Sequence, residues 1–373
     1  MTRPDYAKLR RLVVKIGSSL LVDDRDSVNR HWLHSLADDI AALRARGQQV
    51  IIVSSGAVAI GGKILGINRR RARLEGLQAA AAAGQVELVH AYQEALGRYG
   101  IVAAQVLLTP DDTEVKRRFL NARGTLEKLL EHDVVPVINE NDTVATDELR
   151  YGDNDRLAAR VAQTVMADLL ILLSDVDGLY TGDPRHDASA ELLEVVDDIG
   201  DRHMSMAGEA STETGSGGMR TKLQAARIAT HAGCSTIIAS GKEMHSLRDL
   251  FDGGRHSVFP AAGTPTIARK QWLAGMLEVN GRLVIDEGAV EALMNGKSLL
   301  PAGLAAVRGP FNRGDAVGIV DRQDVEIGRG LAAYSSDEAA AIKGCHSEQI
   351  EAILGYRGRA VLIHRNDMVL FRQ

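Results

Sequence analysis

Six short runs of nearly unbroken apolar residues, alternating with segments of helical period, constrain this chain more than any other feature. They lie at 11–17 (Arg-Leu-Val-Val-Lys-Ile-Gly), 49–54 (Gln-Val-Ile-Ile-Val-Ser), 101–108, 134–139, 168–174 and 235–239. A strand covered on both faces has no solvated side, so its sequence is a continuous apolar run and not an alternation. Residues 29–46 set Trp32, Leu33, Leu36, Ile40 and Leu43 on one helical face and stop at Gly47. Further helices are expected at 75–98, which is rich in alanine, and at 118–132, 155–166 and 218–232. Buried strands alternating with helices predict an α/β fold, a three-layer αβα sandwich around a mainly parallel sheet. Ligands of such sheets gather beyond the carboxyl ends of the strands. Gly17-Ser18-Ser19, Ser54-Ser55-Gly56, Asn139 to Asp142 and Ser174-Asp175 each follow a predicted strand, which points to one shared site.

The rhythm changes after about residue 255. Gly253-Gly254 and Phe259-Pro-Ala-Ala-Gly-Thr-Pro265 have the composition of a linker. Beyond it the segments are short, β-rich and broken by turns, at 282–286, 305–309, 316–320 and 360–364, with short helices expected at 287–295 and 336–343. The expected organisation is a first domain of residues 1–262, a linker at 263–277, and a small barrel-like β-rich domain at 278–373.

Composition excludes several classes. The net charge of −5 argues against bulk nucleic-acid affinity and against a polybasic membrane patch. Cys234 and Cys345 are the two cysteines, too far apart for a disulfide framework or a metal-ligand spacing; their plainer reading is a pair of thiols in a reducing compartment. No stretch approaches the ~18 apolar residues of a membrane span, and no apolar run precedes the first strand, so a cytoplasmic location is expected.

The chemistry concentrates in a few places. Asn139-Glu-Asn-Asp142 and Tyr151-Gly-Asp-Asn-Asp155 crowd seven acidic or amide side chains into two short segments. Capping of the helix that follows would use one of them and leave the rest unexplained. Lys15 lies inside an apolar strand, where a lysine either snorkels at the strand end or meets an anion. Gly17, Ser18 and Ser19 beside it offer phosphate donors. Ser54-Ser55-Gly56-Ala57 is either an ordinary helix start or a carboxylate-gripping turn. Ser174-Asp175-Val-Asp-Gly-Leu-Tyr180 is either a polar surface turn or a nucleotide edge. Gly215-Ser216-Gly217-Gly218-Met219-Arg220-Thr221-Lys222 runs a glycine loop into a helix start, where amides and a mobile lysine suit phosphate. It is not the common P-loop, Gly56 to Lys63 misses that spacing, and His364-Arg-Asn-Asp367 lacks the rest of a protein-kinase set.

These residues together fit phosphoryl transfer to a small amino acid. A carboxylate attacking the γ-phosphorus of ATP brings like charges together; at about 4 Å and an effective dielectric of ~20 they repel by ~4 kcal/mol. Positioned cations are the expected answer, and a carboxylate ionised at neutral pH needs no general base.

In order and spacing, Val13-Val-Lys-Ile-Gly-Ser-Ser19, Ser54-Ser-Gly-Ala57, Phe119-Leu-Asn-Ala-Arg123, Val135-Pro-Val-Ile-Asn-Glu-Asn-Asp142, Gly152-Asp-Asn-Asp155, Asp177-Gly-Leu-Tyr-Thr181 and Gly217-Gly-Met-Arg-Thr-Lys222 resemble the amino acid kinase superfamily, and within it the glutamate kinases. Lys297-Ser-Leu-Leu-Pro-Ala-Gly303 with Phe311-Asn-Arg-Gly-Asp315 resembles a PUA domain, an addition typical of that group. The resemblance implies ATP-dependent phosphorylation of the γ-carboxyl of L-glutamate, the first step of proline biosynthesis. It implies that Lys15 and Lys222 stabilise the transferring group and that Asp155 holds them. It further implies that Ser55, Asp142 and Asn154 bind glutamate, with Asn139 and Asp153 close by. Ser174, Asp175 and the loop from Ser216 through Gly217, Gly218, Met219, Arg220 and Thr221 to Lys222 would bind ATP, as would Lys15. Mg²⁺ would ride on the phosphates. A homo-oligomer, inhibition by proline near the glutamate site and handoff of the acyl phosphate to glutamyl phosphate reductase belong to the same expectation. Arg220 departs from the small residue expected there.

Two other readings compete. Aspartate, N-acetylglutamate or a nucleoside monophosphate is the alternative acceptor, and the polar cluster, built for a free ammonium, argues for an unmodified amino acid. The second is a nucleotide-sensing RNA-binding protein, since PUA modules bind RNA. Residues 278–373 carry eleven Lys/Arg against thirteen Asp/Glu, without the basic excess of an RNA-binding face.

Overall fold

The computed structural model describes residues 6–144, 154–184, 186–187, 189–207, 218–274 and 279–371. The chain divides into two compact units: one runs to Glu114 and from Asn121 to Pro265, the other joins Val115–Leu120 to the residues from Thr266 onward.

The first unit is built on strands β1 (Arg11–Ile16), β2 (Gln49–Ser54), β3 (Ala103–Leu108), β4 (Val135–Glu140), β5 (Leu169–Ser174), β6 (Ser235–Ser240) and β7 (His256–Phe259). They form one sheet in the order β3-β4-β2-β1-β5-β6-β7. Every neighbouring pair is parallel except β6 and β7. Lys15 sits on the central strand, opposite Val53 of β2 and Leu172 of β5.

Helices α1 (Ser18–Leu21), α2 (Arg30–Ala45), α3 (Ala57–Leu65), α4 (Leu74–Gly97), α5 (Pro110–Glu114), α6 (Lys116–Glu131), α7 (Asn154–Thr164), α8 (Asp201–Met206), α9 (Met219–His231), α10 (Ser246–Phe251) and α11 (Pro265–Ala274) connect or follow the strands. The two-residue period of a strand sends alternate side chains to opposite faces. Leu12, Val14 and Ile16 therefore share a core with Trp32, Leu36, Leu88 and Tyr92 of α2 and α4. Val13 joins Leu157, Val161, Leu223 and Ala226 of α7 and α9 on the other side. Lys15 keeps step with Val13, so the strand period alone aims it at the α7–α9 face. A helix layer covers each face, as the continuous apolar strands require.

Helices α3 and α4 touch through glycine. A Cβ on Gly84 would lie 1.9 Å from the Ala57 carbonyl oxygen, and one on Gly61 would lie 1.7 Å from that of Ala80. Only glycine permits this backbone approach, which fixes the start of α3 against the middle of α4.

Three expectations are corrected here. Residues 256–259, placed before the linker without an element, form β7; all four are buried although two are polar. Ser257 Oγ accepts from Leu179 N at 2.8 Å and donates to Leu193 O at 2.6 Å, so its polarity is satisfied inside and misleads a pattern based on hydropathy. The linker expected at 263–277 contains the helix α11.

The third correction falls in the second unit. Its sheet contains β8 (Gly281–Ile285), β9 (Leu304–Arg308), β10 (Ala316–Val320), β11 (Glu326–Leu331) and β12 (Met368–Leu370), in the order β12-β11-β10-β8-β9. The expected strand at 360–364 is reduced to one bridge between Ile363 and Leu299. β11 carries the pairing instead, although its Gly-Arg-Gly has the composition of a turn. A Cβ at Gly328 would meet the Val369 carbonyl oxygen at 2.2 Å, so glycine there admits β12 alongside. Helix α12 (Glu287–Met294) is capped by Asp286, which accepts from Ala289 N at 2.8 Å, and α13 (Ser336–Ala341) by the reciprocal pair Ser335 and Glu338.

Candidate active site

Lys15, Asp155 and Lys222 meet under the carboxyl end of β1. Asp155 is the second residue of α7, and Lys222 lies in the first turn of α9. Lys15 Nζ is 2.5 Å from Asp155 Oδ1, and Lys222 Nζ is 3.5 Å from Oδ2. Thr221 Oγ1 donates to the same Oδ2 at 2.8 Å. All three charged residues are buried, with exposures of 6%, 1% and 4%. Burial alone would raise the Asp155 carboxyl; the ammonium groups of Lys15 and Lys222, with hydrogen bonds from Lys15 and Thr221, outweigh it and hold the carboxyl at about 2. The carboxylate is thus ionised throughout the physiological range, and it brings two cations from separate elements to one place.

A second network begins one residue earlier. Asn154 Nδ2 donates to Ser55 Oγ at 2.9 Å and to Asn139 Oδ1 at 3.1 Å. Asn139 Nδ2 donates to Gln85 Oε1 at 2.9 Å. Ser55 follows β2, and Asn139 is the penultimate residue of β4, so both lie at the carboxyl ends of strands, where the sheet topology places ligands. Asn154 Oδ1 and Gln85 Nε2 are buried without a hydrogen-bond partner among the described residues. Nearby in sequence, Asp142 opens a one-turn helix, and burial raises its carboxyl to about 6 with no compensating cation among the described residues. A buried polar atom left without a partner calls for an explanation, and a bound ligand is one.

Ser174 is buried at the end of β5 and accepts from Val176 N at 3.3 Å. Asp175 follows it, half-buried. The strand is continuous with the Lys15 region, since Gly17 N donates to Leu173 O at 3.2 Å. Gly218 is the N-cap of α9, Met219 is half-buried, and Arg220 is exposed to solvent. Thr221, expected at the nucleotide, turns inward to Asp155. Asp153, Ser216 and Gly217 lie outside the described residues, as does the rest of the loop from Gly215.

Sequence reasoning missed Gln85. It lies in the alanine-rich α4 on the buried stripe of Ala81, Gly84 and Leu88. A polar residue at an apolar position of a helix is the signal that was there to find.

Among the described residues no group of three or more His, Cys, Asp and Glu is arranged to hold a metal ion. Both oxygens of Asp155 face ammonium groups. Nor is any described helix long and apolar enough to cross a membrane.

A parallel sheet with paired lysines at its carboxyl edge defines a class, and the sequence comparisons agree. The amino acid kinase family matches residues 10–240, and the chain belongs to it. The PUA domain matches residues 281–354. Among curated relatives, the glutamate 5-kinase of Agrobacterium fabrum (strain C58) is 52% identical, over 99% of this chain and 95% of its own length. That of Paramagnetospirillum magneticum is 56% identical, over 98% of each chain. That of Rhizobium etli (strain CFN 42) is 53% identical, over 100% of this chain and 96% of its own.

Proposed function

We infer that this chain is a glutamate 5-kinase. It transfers the γ-phosphoryl group of ATP to the γ-carboxylate of L-glutamate, giving γ-glutamyl phosphate and ADP, the first step of proline biosynthesis. The observation that carries the reading is the convergence of Lys15 and Lys222 on Asp155, supported by full-length relatives of that activity.

The chemistry follows from the charges. A γ-carboxylate oxygen attacks the γ-phosphorus, an O–P bond forms, and the bond to the β,γ-bridging oxygen breaks to release ADP. Negative charge grows on the transferring oxygens and on the leaving group. Ammonium groups held in a dry site stabilise that charge without reorganising. Lys15 and Lys222 supply them, and Asp155 fixes their positions. The nucleophile is ionised at neutral pH, so no side chain has to remove a proton.

Ser55, Asn139, Asp142, Asn154 and Asp153 form the glutamate pocket in this reading. The support is the unpaired Asn154 oxygen and the uncompensated burial of Asp142, both suited to an ammonium group. Ser174, Asp175 and the segment from Ser216 to Lys222 hold the nucleotide. Mg²⁺ carried by the nucleotide would screen the phosphate charge, and Asp155, engaged by the two lysines, is not assigned to hold it. Proline, another small amino acid, competes in the same pocket. A homo-oligomer in the cytoplasm that passes its labile product to glutamyl phosphate reductase completes the proposal. The acidic balance of residues 278–373 favours a structural or regulatory PUA domain over an RNA-binding one.

The test is a hydroxylamine trap of the acyl phosphate, run with L-glutamate, N-acetyl-L-glutamate and L-aspartate. Glutamate-dependent hydroxamate and ADP are expected. Activity with N-acetylglutamate and none with glutamate would overturn the choice of acceptor.

A further inference from the structure

The amides of Gln85, Asn139 and Asn154 form a chain whose direction is not arbitrary. A side-chain amide turned end for end keeps its shape, and only its neighbours decide which end is oxygen. Here one neighbour cannot be turned. The backbone N–H of Glu140 donates to Asn139 Oδ1 at 2.9 Å, so Asn139 must present its oxygen there. Its NH₂ then faces Gln85, which must present Oε1, at 2.9 Å. Asn154 must offer Nδ2 to the Asn139 oxygen, at 3.1 Å, and to Ser55 Oγ, at 2.9 Å. Its own oxygen is left over, buried and without a partner among the described residues.

Gln85 completes this order at a cost to itself. It is 8% exposed, and with Oε1 committed to Asn139 its Nε2 is buried without a hydrogen-bond partner among the described residues. An apolar residue of the same size would fill the space without that penalty. Glutamine is therefore explained by the acceptor it gives the Asn139 NH₂, which holds Asn139 in the orientation the Glu140 amide selects. The close backbone contact at the adjacent Gly84 keeps it in place.

We propose that Gln85 is a positioning residue that locks the polarity the Glu140 amide selects for the amino-acid pocket. By accepting from Asn139 it holds Asn154 with an oxygen toward the ligand, which selects a substrate carrying a free α-ammonium over one that lacks it or has it acylated. This rests on the glutamate kinase reading above.

The experiment measures, in the full-length protein, KM for L-glutamate, KM for ATP and the inhibition constant of glutarate, the same dicarboxylate without the ammonium. Gln85→Met removes the acceptor at similar volume. It is expected to raise the glutamate KM about tenfold while glutarate inhibition and the ATP KM stay within about twofold. Gln85→Glu keeps an acceptor toward Asn139 and is expected to hold the glutamate-to-glutarate ratio within about twofold of the parent. An unchanged glutamate KM in Gln85→Met, or an equal weakening of glutarate, overturns the proposal. So does a collapsed ratio in Gln85→Glu, which decides the matter even where Gln85→Met does not fold. A parent protein with no glutamate-dependent ADP release would instead sink the functional reading, and this inference with it.

Discussion

Lys15 and Asp155, distant in sequence, stand 2.5 Å apart because the period of β1 and the first turn of α7 deliver them to the same face of the sheet. The same carboxylate reaches Lys222, so the geometry of two cations depends on one acid.

Asp155→Asn tests that dependence. It deprives buried Lys15 of its carboxylate, and breaking a buried ion pair typically costs about 3–5 kcal/mol. The Asp155 carboxyl is depressed to about 2, so its contribution to stability is fully present above about 4 and is lost as pH falls through about 2. At neutral pH the variant should melt well below the parent. ATP should then raise its melting temperature by more than it raises the parent's, because phosphate oxygens replace the missing anion. An ATP-induced shift no larger than the parent's would dissociate the lysines from the nucleotide.

Lys222→Ala should lower kcat by on the order of a hundredfold or more, the usual loss when a charge-stabilising donor is removed from a transition state. The glutamate KM should change little, since Lys222 serves the nucleotide and not glutamate in the proposed function. Steady-state kinetics with both substrates separates the two. Near-normal turnover would remove Lys222 from the catalytic machinery.

Much of this arrangement was legible beforehand. The runs at 11–17, 49–54 and 168–174 announced buried parallel strands because their interiors are apolar apart from Lys15, with other polar residues only at their ends. Lys15 was visible as the one cation in the interior of such a run. What stayed hidden depends on contacts made across the fold. Ser257 of β7 has its hydroxyl bonded by the distant residues Leu179 and Leu193, so a half-polar tetrapeptide is buried. Gly328 in β11 serves a close strand approach, yet on paper it is indistinguishable from a turn glycine. Gln85 was masked by the alanine around it, and its role exists only once β4 brings Asn139 to it.

Two alanine substitutions in α4 should differ in sign. Gly84→Ala places a methyl 1.9 Å from the Ala57 carbonyl oxygen, and backbone cannot step aside cheaply. Destabilisation of about 1–3 kcal/mol or more is expected, with a higher glutamate KM because Ala57 lies two residues from Ser55. Gly97→Ala meets nothing within 4 Å at the exposed end of the same helix. It should be neutral or stabilising by about 0.5–1 kcal/mol. Chemical denaturation of both variants distinguishes local packing from simple helix propensity; equal effects would refute the close-contact account.

Asp142 gives the pocket a pH dependence. Burial raises its carboxyl from 3.8 to about 6. Below that value the acid is neutral and cannot pair with a substrate ammonium, so kcat/KM for glutamate should fall as pH drops, approaching about tenfold per unit well below 6. Asp142→Asn should flatten the profile in this range and lower its plateau. Stability moves the opposite way. A raised carboxyl contributes stability that is complete below 3.8 and lost as pH rises through about 6. The unliganded Asp142→Asn protein should therefore melt above the parent at pH 8, with the gap closing toward pH 5. A variant that is equally stable at both pH values relative to the parent, with an unaltered kinetic profile, would show that Asp142 faces neither the pocket nor the interior in solution.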